Sequence, residues 1–306
     1  MASDWKIIVP EATENLTRNP SAEESEIVGP ELLSNEGFET AGAGDPDFWA
    51  NWTESASDGA LANDQANEHG GDDCALVTAG ASLDTHVYQN VTVTPGKMYR
   101  LLVWTYGDGT NSGRYLVYDN NNAADIKALA SLGKTAAAWA EADVAFIAPA
   151  GCVSVGIYLY CAALNTAAVY FDDISVKEVN AGELNLDDDV LTRSTTYQKY
   201  GVYSWRMQTD ADNEGAVFAL DTLTNAAHYV TMRVRGTLPT AWDWSLDDST
   251  YTAPSSVDTL DSNWTVYGLS FVAGQANGST TLYVRQNGAG SGDFYIDGIQ
   301  AEAKSY

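Results

Sequence analysis

Cysteine and histidine are scarce in this chain of 306 residues, which has three of each. Three cysteines cannot all pair within one chain, so we predict free, mostly buried thiols and no disulfide framework. The histidines do not lie near the cysteines in the sequence, which argues against a Cys–His metal site or a Cys–His nucleophile. The cysteines are Cys74, Cys152 and Cys161, and the histidines are His69, His86 and His228.

Basic residues are also few. Fifteen Lys and Arg face 42 Asp and Glu, which gives a formal net charge of -27. The long-range field of such a chain repels phosphate backbones and anionic lipids, so nucleic acid is excluded as an expected partner. Such acidity is typical of proteins whose net charge keeps them soluble.

Long apolar runs are missing. No run approaches the roughly 20 residues that span a bilayer, so we expect no membrane insertion. The opening "MASDWKIIVPEA" has neither the basic flank nor the apolar stretch of a signal peptide, and we expect no export by the usual route.

Short alternating segments rich in Val, Thr, Tyr and Trp predict an all-β protein of two domains, since one core rarely serves more than about 250 residues. "HVYQNVTVTPGKMYRLLVWTYGDG" predicts a strand to about Val93, a turn at Pro95 and Gly96, and a strand from Met98 to Tyr106. The segment "AADIKALASLG" has apolar residues at helical spacing and predicts a short helix or a loop with a turn.

The chain repeats its beginnings and its ends. Leu16, Asn19 and Glu23 recur as Leu32, Asn35 and Glu39, while "VYFDDISVKE" at 169–178 is similar to "FYIDGIQAEA" at 294–303, so that Asp172 aligns with Asp297. We predict a domain at 31–179 inserted into an early loop of an outer domain at 13–30 plus 180–306, after an N-terminal arm at 1–12. The alternative is that residues 15–24 are an extended arm before two domains in series.

Three motifs carry a family resemblance. "NEGFE" at 35–39, "QNVTVTPGKMY" at 89–99 and "YFDDI" at 170–174 resemble the jelly-roll carbohydrate-binding modules attached to many xylanases and cellulases. The outer unit, with "NPSAE" and "FYIDGIQAE", resembles the divergent form of this jelly roll in bacteriophage tail and capsid-associated proteins. The resemblance implies two jelly-roll β-sandwiches.

The resemblance also implies a structural Ca²⁺, held by the Glu of the opening motif and the Asp of the closing strand. In this sequence these are Glu39 and Asp172 for the inner domain, and Glu23 and Asp297 for the outer one. Ca²⁺ takes six to eight oxygen ligands, so such a pair would join the first strand to the last. The alternative is that these carboxylates accept backbone N–H bonds at a turn.

Strand alternation supplies a candidate sugar site. In "YRLLVWTYGD" the core face holds Tyr99, Leu101 and Val103, and in "CVSVGIYLYC" it holds the alternate residues from Val153 to Leu159. Pairs of aromatic rings are left on the opposite faces, where they could stack on pyranose rings, unless another sheet, loop or subunit covers them. The predicted carbohydrate-binding residues are Trp104, Tyr106, Tyr158 and Tyr160, with Arg114 and Gln89 as polar partners.

Basic residues cluster in the outer domain. The alternation in "HYVTMRVRG" points Tyr229, Arg233 and Arg235 away from the core, and Tyr283 and Arg285 behave likewise in "TLYVRQ". This predicts contact with an acidic surface, including that of the same protein, while ordinary surface ion pairs are the alternative.

Together these features predict a non-catalytic virion protein of a bacteriophage, decorating the capsid or associated with the tail, whose partners are other virion proteins, copies of itself or a polysaccharide. No nucleophile elbow, metal-hydrolase motif or phosphate loop is present. The alternatives are a free, extracellular carbohydrate-binding protein, an accessory module of a polysaccharide-degrading system, or a glycoside-active enzyme.

Overall fold

The computed structural model describes most of the chain. The described residues are 21–23, 27–44, 47–82, 84–161, 167–183, 190–221, 227–237, 241–246, 250, 263–272 and 279–303. The predicted arm at 1–12, with Leu16 and Asn19 of the first opening motif, lies outside them. No helix in these ranges is long and apolar enough to cross a bilayer.

The prediction of an all-β fold is confirmed, because the described residues form β-strands joined by turns and loops. In chain order the strands are β1 (Ala41–Gly44), β2 (Asp47–Trp49), β3 (Thr53–Ser55), β4 (Ala60–Asp64), β5 (Cys74–Thr78), β6 (Thr85–Thr92), β7 (Met98–Tyr106), β8 (Arg114–Asp119), β9 (Ala124–Ser131), β10 (Trp139–Ile147), β11 (Ser154–Cys161), β12 (Ala168–Val179), β13 (Ala181–Glu183), β14 (Val190–Ser194), β15 (Ser204–Thr209), β16 (Gly215–Asp221), β17 (Ala227–Thr237), β18 (Ala241–Ser245), β19 (Thr265–Val272), β20 (Ser279–Asn287) and β21 (Gly292–Ala303).

The strands make two antiparallel sandwiches. In the first unit, strands β3 to β12 form the sheets β10-β7-β12-β5-β4 and β3-β6-β11-β8-β9. In the second unit, strands β13 to β21 form the sheets β14-β15-β21-β17-β19 and β13-β16-β20-β18. The five-stranded sheet of the second unit repeats, strand for strand, the order β4-β5-β12-β7-β10 of the first. The two units therefore share the strand order of this sheet, and each packs it against a second sheet.

Each unit has its own hydrophobic core. The first contains Phe38, Trp49 and Phe171, and the second contains Ala22, Trp205 and Trp242. A smaller cluster of Met98, Val179, Val217 and Ala219 joins the two units. The three cysteines are free and buried in the first unit, as predicted.

Two local predictions were wrong. The segment with helical spacing is strand β9, paired with β8 at the edge of its sheet, because the ladder supplies its backbone with hydrogen bonds that an isolated short helix would lack. Val153, predicted on the core face, is 49% exposed because it precedes the first residue of β11. The alternation of β7 and of β11 from Val155 onward is as predicted.

The two ends of the first unit lie side by side. Ile27 forms a β-bridge with Val179, and the backbone N–H groups of Val28 and Gly29 donate to the carbonyl of Glu178. Leu32 N–H likewise donates to the carbonyl of Val176, so that the opening segment supplies the donor each time. The chain therefore enters and leaves the first unit at neighbouring points.

Candidate functional site

The predicted sugar-binding residues do not share one surface. Trp104 and Tyr106 lie on β7, while Tyr158 and Tyr160 lie on β11, and these strands belong to the two opposed sheets of the first unit. Outward side chains of opposed sheets face opposite sides of a sandwich. The prediction of one site from these residues is therefore corrected to two separate surfaces.

The surface around Trp104 is covered by a loop of the same chain. The ring of His69 stacks on Trp104 with centroids 3.8 Å apart, and Trp139 packs against both His69 and Tyr106. The loop is held in place because Trp139 Nε1 donates to the carbonyl of Asn67, and His69 Nδ1 lies 2.7 Å from Asp173 Oδ2. One face of Trp104 is therefore used within the protein.

Gln89 is a structural residue. Its side chain is 8% exposed and lies on the core side of β6 with Val87 and Val91. The amide oxygen accepts from Ser34 N–H at 2.8 Å, and the amide nitrogen donates to the Ser34 carbonyl at 2.9 Å. Gln89 thus anchors the opening segment and has no place in the predicted site.

The opposite sheet carries a continuous row of rings. Tyr88 stacks on Tyr158 with centroids 4.5 Å apart, and Tyr158 is also near-parallel to Tyr160 at 6.0 Å. His86 lies 4.6 Å from Tyr160, and Tyr118 meets Tyr158 edge-on at 6.5 Å. We call these five side chains, from β6, β11 and β8, the aromatic row. All five are half-buried.

The local sequence makes room for the row. A Cβ at Gly156 would lie 2.5 Å from Cε2 of Tyr158, so the ring occupies space that only glycine leaves open. Arg114 pairs with Tyr160 across the strands and forms a salt bridge of 3.3 Å with Asp84. A guanidinium therefore stands at the end of the row beside Tyr160.

Burial shifts the pKa values of three side chains in the row. It raises the pKa of Tyr158 and, as the largest cause, raises the pKa of Tyr160 to about 12, so both hydroxyls stay protonated. Burial also lowers the pKa of His86, whose Nδ1 is buried without a hydrogen-bond partner. The row presents hydroxyl groups that can both donate and accept hydrogen bonds, and the guanidinium of Arg114 beside it is paired with Asp84.

Three of the five side chains of the row were missed from the sequence. Tyr88 and His86 share a face of β6 because they alternate with Val87 and Val91, and the same parity places Gln89 on the core side. The alternation in "HVYQNVTV" could therefore have identified both tyrosine and histidine. Tyr118 could not be placed, because only strand order puts β8 next to β11.

Glu39 and Asp172 lie at one corner of the first unit, against the loop 68–73, and we call this the first corner. Glu39 accepts hydrogen bonds from the backbone N–H groups of Asp72 and Asp73. Asp172 Oδ2 accepts from His69 and Gly70, and its Oδ1 accepts from Asp173 N–H. Burial, its largest cause, raises the pKa of Asp172 although these N–H groups oppose the shift.

The second unit repeats this arrangement at the second corner, which consists of Glu23, Asp297 and the loop 198–203. Glu23 Oε1 accepts from the N–H groups of Val202 and Tyr203, and Asp297 Oδ2 accepts from those of Lys199 and Tyr200. The second corner differs in two oxygens: Asp297 Oδ1 is buried without a hydrogen-bond partner, and both donors to Glu23 bind Oε1, whereas Glu39 accepts through both of its oxygens.

These contacts bear on calcium. At the first corner all four oxygens of Glu39 and Asp172 accept backbone N–H groups, which is the alternative that we set beside the metal. Within the described ranges no group of three or more His, Cys, Asp or Glu side chains is placed to hold a metal ion. At the first corner these four oxygens are therefore occupied by N–H groups, while at the second the buried Oδ1 of Asp297 has no partner.

The predicted basic cluster is divided between two sheets. Arg285 lies on β20, where it forms a salt bridge with the buried Asp243, and Tyr283 packs in the contact between the units. Arg233 and Arg235 lie on the outer face of β17 in the other sheet. Arg285 and Tyr283 are therefore removed from the cluster, because they serve the fold.

No family model and no curated protein sequence matches this chain. Among solved structures, it is similar to the tandem modules CBM22-1 and CBM22-2 of Xyn10C from Paenibacillus barcinonensis, at 13% identity and a TM-score of 0.39, over 92% of this chain and 99% of that one. It is also similar to TmCBM61 in complex with β-1,4-galactotriose, at 18% identity and a TM-score of 0.40, over 49% of this chain and 99% of that one.

A third similar structure is the enzymatically active domain of tailspike protein 4 from bacteriophage CBA120. The identity is 13% and the TM-score 0.36, over 49% of this chain and 21% of that one. Scores at this level carry no argument about ligand or activity. The assignment of two β-sandwiches rests on the strand order and the separate cores of the two units.

Proposed function

We propose that the first unit is a non-catalytic carbohydrate-binding module, and that the aromatic row is its binding surface. The observation that carries this proposal is the packing of five rings side by side across three adjacent strands, with one guanidinium at the end. A contiguous group of rings that remains partly exposed is the kind of surface that marks an interaction site.

The chemistry of the row fits a polysaccharide. Tyr158 is enclosed between Tyr88 and Tyr160, so the outer faces of the terminal rings are left for contact with the apolar face of a sugar. The tyrosine hydroxyls and Arg114 can hydrogen-bond sugar hydroxyls. A neutral glycan suits the row because the protein as a whole is strongly acidic.

Glycan-array binding and calorimetry test this proposal. We expect Tyr88→Ala and Tyr158→Ala each to weaken binding about tenfold or more, since the first removes a stacking surface and the second removes the ring that supports Tyr88 and Tyr160. Tyr229→Ala, at a tyrosine 39% exposed on the second unit, is the matched control and should bind normally. Loss of binding in Trp104→Ala with Tyr158→Ala unaffected would move the site to the opposite sheet, and no binding to any glycan would refute the function.

The second unit is proposed to be a discontinuous domain of residues 13–30 and 180–306, with the first unit inserted at 31–179. Ala22 supports this, because it is fully buried in the core of the second unit. Glu23 accepts hydrogen bonds from loop 198–203, and Arg193 donates to the carbonyls of Ala22 and Glu23. The adjacent ends of the first unit suit an insertion, since a host loop tolerates a domain whose termini are close together.

We also propose that the protein belongs to a bacteriophage particle, where its glycan surface would serve adhesion to a host or to environmental polysaccharide. The support is the resemblance of "NPSAE" and "FYIDGIQAE" to the jelly rolls of tail and capsid-associated proteins. The alternative is a free extracellular carbohydrate-binding protein, which the same surface would serve. Antibody labelling of purified particles decides between them, since only a virion component remains attached after density-gradient purification.

Structural calcium is proposed for the second corner, where Asp297 Oδ1 has no partner, and remains a sequence-based prediction for the first. A hard cation would satisfy that buried oxygen. Thermal unfolding in Ca²⁺ and in chelator should therefore differ for the unmodified protein and not for Asp297→Asn. An equal response of both proteins would assign any calcium effect elsewhere.

A further inference from the structure

The two corners share the same kind of backbone hydrogen bonds, but arginines flank only the second. Trp104 and Tyr106 pair with Asp172 and Tyr170 in the first unit, whereas the equivalent positions opposite Asp297 and Tyr295 are Arg233 and Arg235. In the adjoining loop, Glu68, Asp72 and Asp73 of the first unit give way to neutral side chains in the second. These replacements are Gln198, Val202 and Tyr203.

The arginines of the second corner are held by tyrosines. Arg233 Nε donates to the hydroxyl of Tyr200 at 2.7 Å, and its guanidinium lies over that ring. Arg235 lies over Tyr197, 3.7 Å from the centroid, and its Nε is buried without a hydrogen-bond partner. Among the residues that the structure describes, neither arginine forms a salt bridge. Both guanidinium groups are therefore held by aromatic rings, without a salt bridge to a described carboxylate.

The surface beside Arg233 can receive a side chain. A pocket of about 240 Å³ opens there, lined among others by Tyr200, Thr231 and Gln300. Tyr197 and Tyr200 are 41% and 45% exposed. An aromatic and arginine-rich rim around a small pocket is the composition that protein interfaces favour.

The first corner carries exposed carboxylates that could pair with these arginines. Glu36, Glu68 and Asp72 are exposed, and in the described part of the chain their carboxylates have no hydrogen-bond or salt-bridge partner. They surround Glu39 and Asp173 on the same corner. Arginine binds carboxylates through two parallel hydrogen bonds, so the acidic corner is complementary to the arginines.

We propose that the second corner of one chain docks on the first corner of a second copy, so that the protein associates head to tail. Both surfaces lie on one chain and differ from each other, which makes the contact heterologous and lets it extend into a ring or a linear array. Because exposed ion pairs contribute only about 0.2–1 kcal/mol each, the association should be weak. It should decrease with salt once enough salt is present to screen the repulsion between two chains of net charge -27.

Sedimentation velocity at moderate ionic strength, about 0.1 M, in chelator, tests the proposal with two charge-reversed variants. Arg233→Glu with Arg235→Glu leaves two acidic corners, and Glu68→Lys with Asp72→Lys leaves two basic ones. We expect each variant alone to associate about tenfold or more weakly than the unmodified chain. We expect their equimolar mixture to regain association, which a misfolded variant could not do.

The control is Lys97→Glu with Lys134→Glu, which makes the same change in net charge as the arginine variant, away from both corners, and should associate like the unmodified chain. Three results would overturn the proposal: an unmodified chain that stays monomeric, a mixture that does not regain association, or a monomeric chain whose arginines are needed for binding to polygalacturonate. The last result would assign the second corner to an acidic polysaccharide. None of them bears on the aromatic row, whose test is glycan binding.

Discussion

The first and second corners share a construction and differ in how tightly it is completed. In both, a Glu near the start of the unit and an Asp on its last strand accept backbone N–H groups from one loop, and a glycine with positive φ stands between the two sets of donors. Only in the first do all four carboxylate oxygens have partners. The comparison shows that both units keep the backbone hydrogen bonds to a Glu and an Asp, while the charge of the surrounding side chains differs between them.

The largest expected effect comes from substitutions that disrupt the backbone hydrogen bonds of a corner. Gly71 and Gly201 have φ of +69° and +61°, and a Cβ at either position would overlap the carboxylate of Glu39 or Glu23. We expect Gly71→Ala and Gly201→Ala each to lower the free energy of unfolding by about 3 kcal/mol, from left-handed strain and a displaced cap. Chemical denaturation measures this loss. A variant as stable as the unmodified protein would show that its corner does not hold the unit together.

A smaller effect is expected in one unit at a time, and it tests the insertion. Glu39→Ala leaves N–H groups of the first unit without a partner, and Glu23→Ala does the same in the second. We expect each substitution to lower the free energy of unfolding by about 1–3 kcal/mol. The insertion predicts that Glu23→Ala destabilises the second unit, whereas an arm followed by two domains in series predicts little change.

Thiol labelling under mild denaturant distinguishes the units, because every cysteine lies in the first. Burial raises the pKa of Cys74 to about 12 and of Cys161 to about 11, so the native thiols should react slowly. We expect Glu39→Ala to accelerate labelling and Glu23→Ala to leave it unchanged. Hydrogen exchange in β15 and β21 reports the opposite pattern, and acceleration of labelling by Glu23→Ala would place that residue in the first unit.

The smallest expected effect is a pH dependence confined to the first unit. Burial lowers the pKa of His86 in the folded state, so the unfolded chain binds the proton more readily. Stability should therefore fall as pH decreases through the ordinary histidine pKa of about 6.5, and the loss should level off below the lowered folded value. His86→Gln should flatten this slope in thiol-labelling measurements between neutral and mildly acidic pH. An unchanged slope would assign it to other groups.

Much of the fold could be predicted from residue order. Alternation located β6, β7 and β11, and the turn at Pro95 and Gly96 separates β6 from β7 as expected. Helical spacing misled at β9, since a short periodicity is overridden when a neighbouring strand offers a ladder. The candidate site was predicted only in part, because parity within one strand identifies a face but not the sheet to which the strand belongs.

The sequence by itself determined the all-β class, the recurrence of opening Glu and closing Asp, and the outward direction of Tyr158, Trp104 and Arg233 along their strands. These are local properties, set by the alternation of side chains along a strand. Tertiary structure decided that Trp104 is covered by His69 while Tyr158 joins Tyr88, and that Gln89 anchors the opening segment. Those outcomes depend on which strands become neighbours, and neighbours are chosen by closure of the two sheets over a common core.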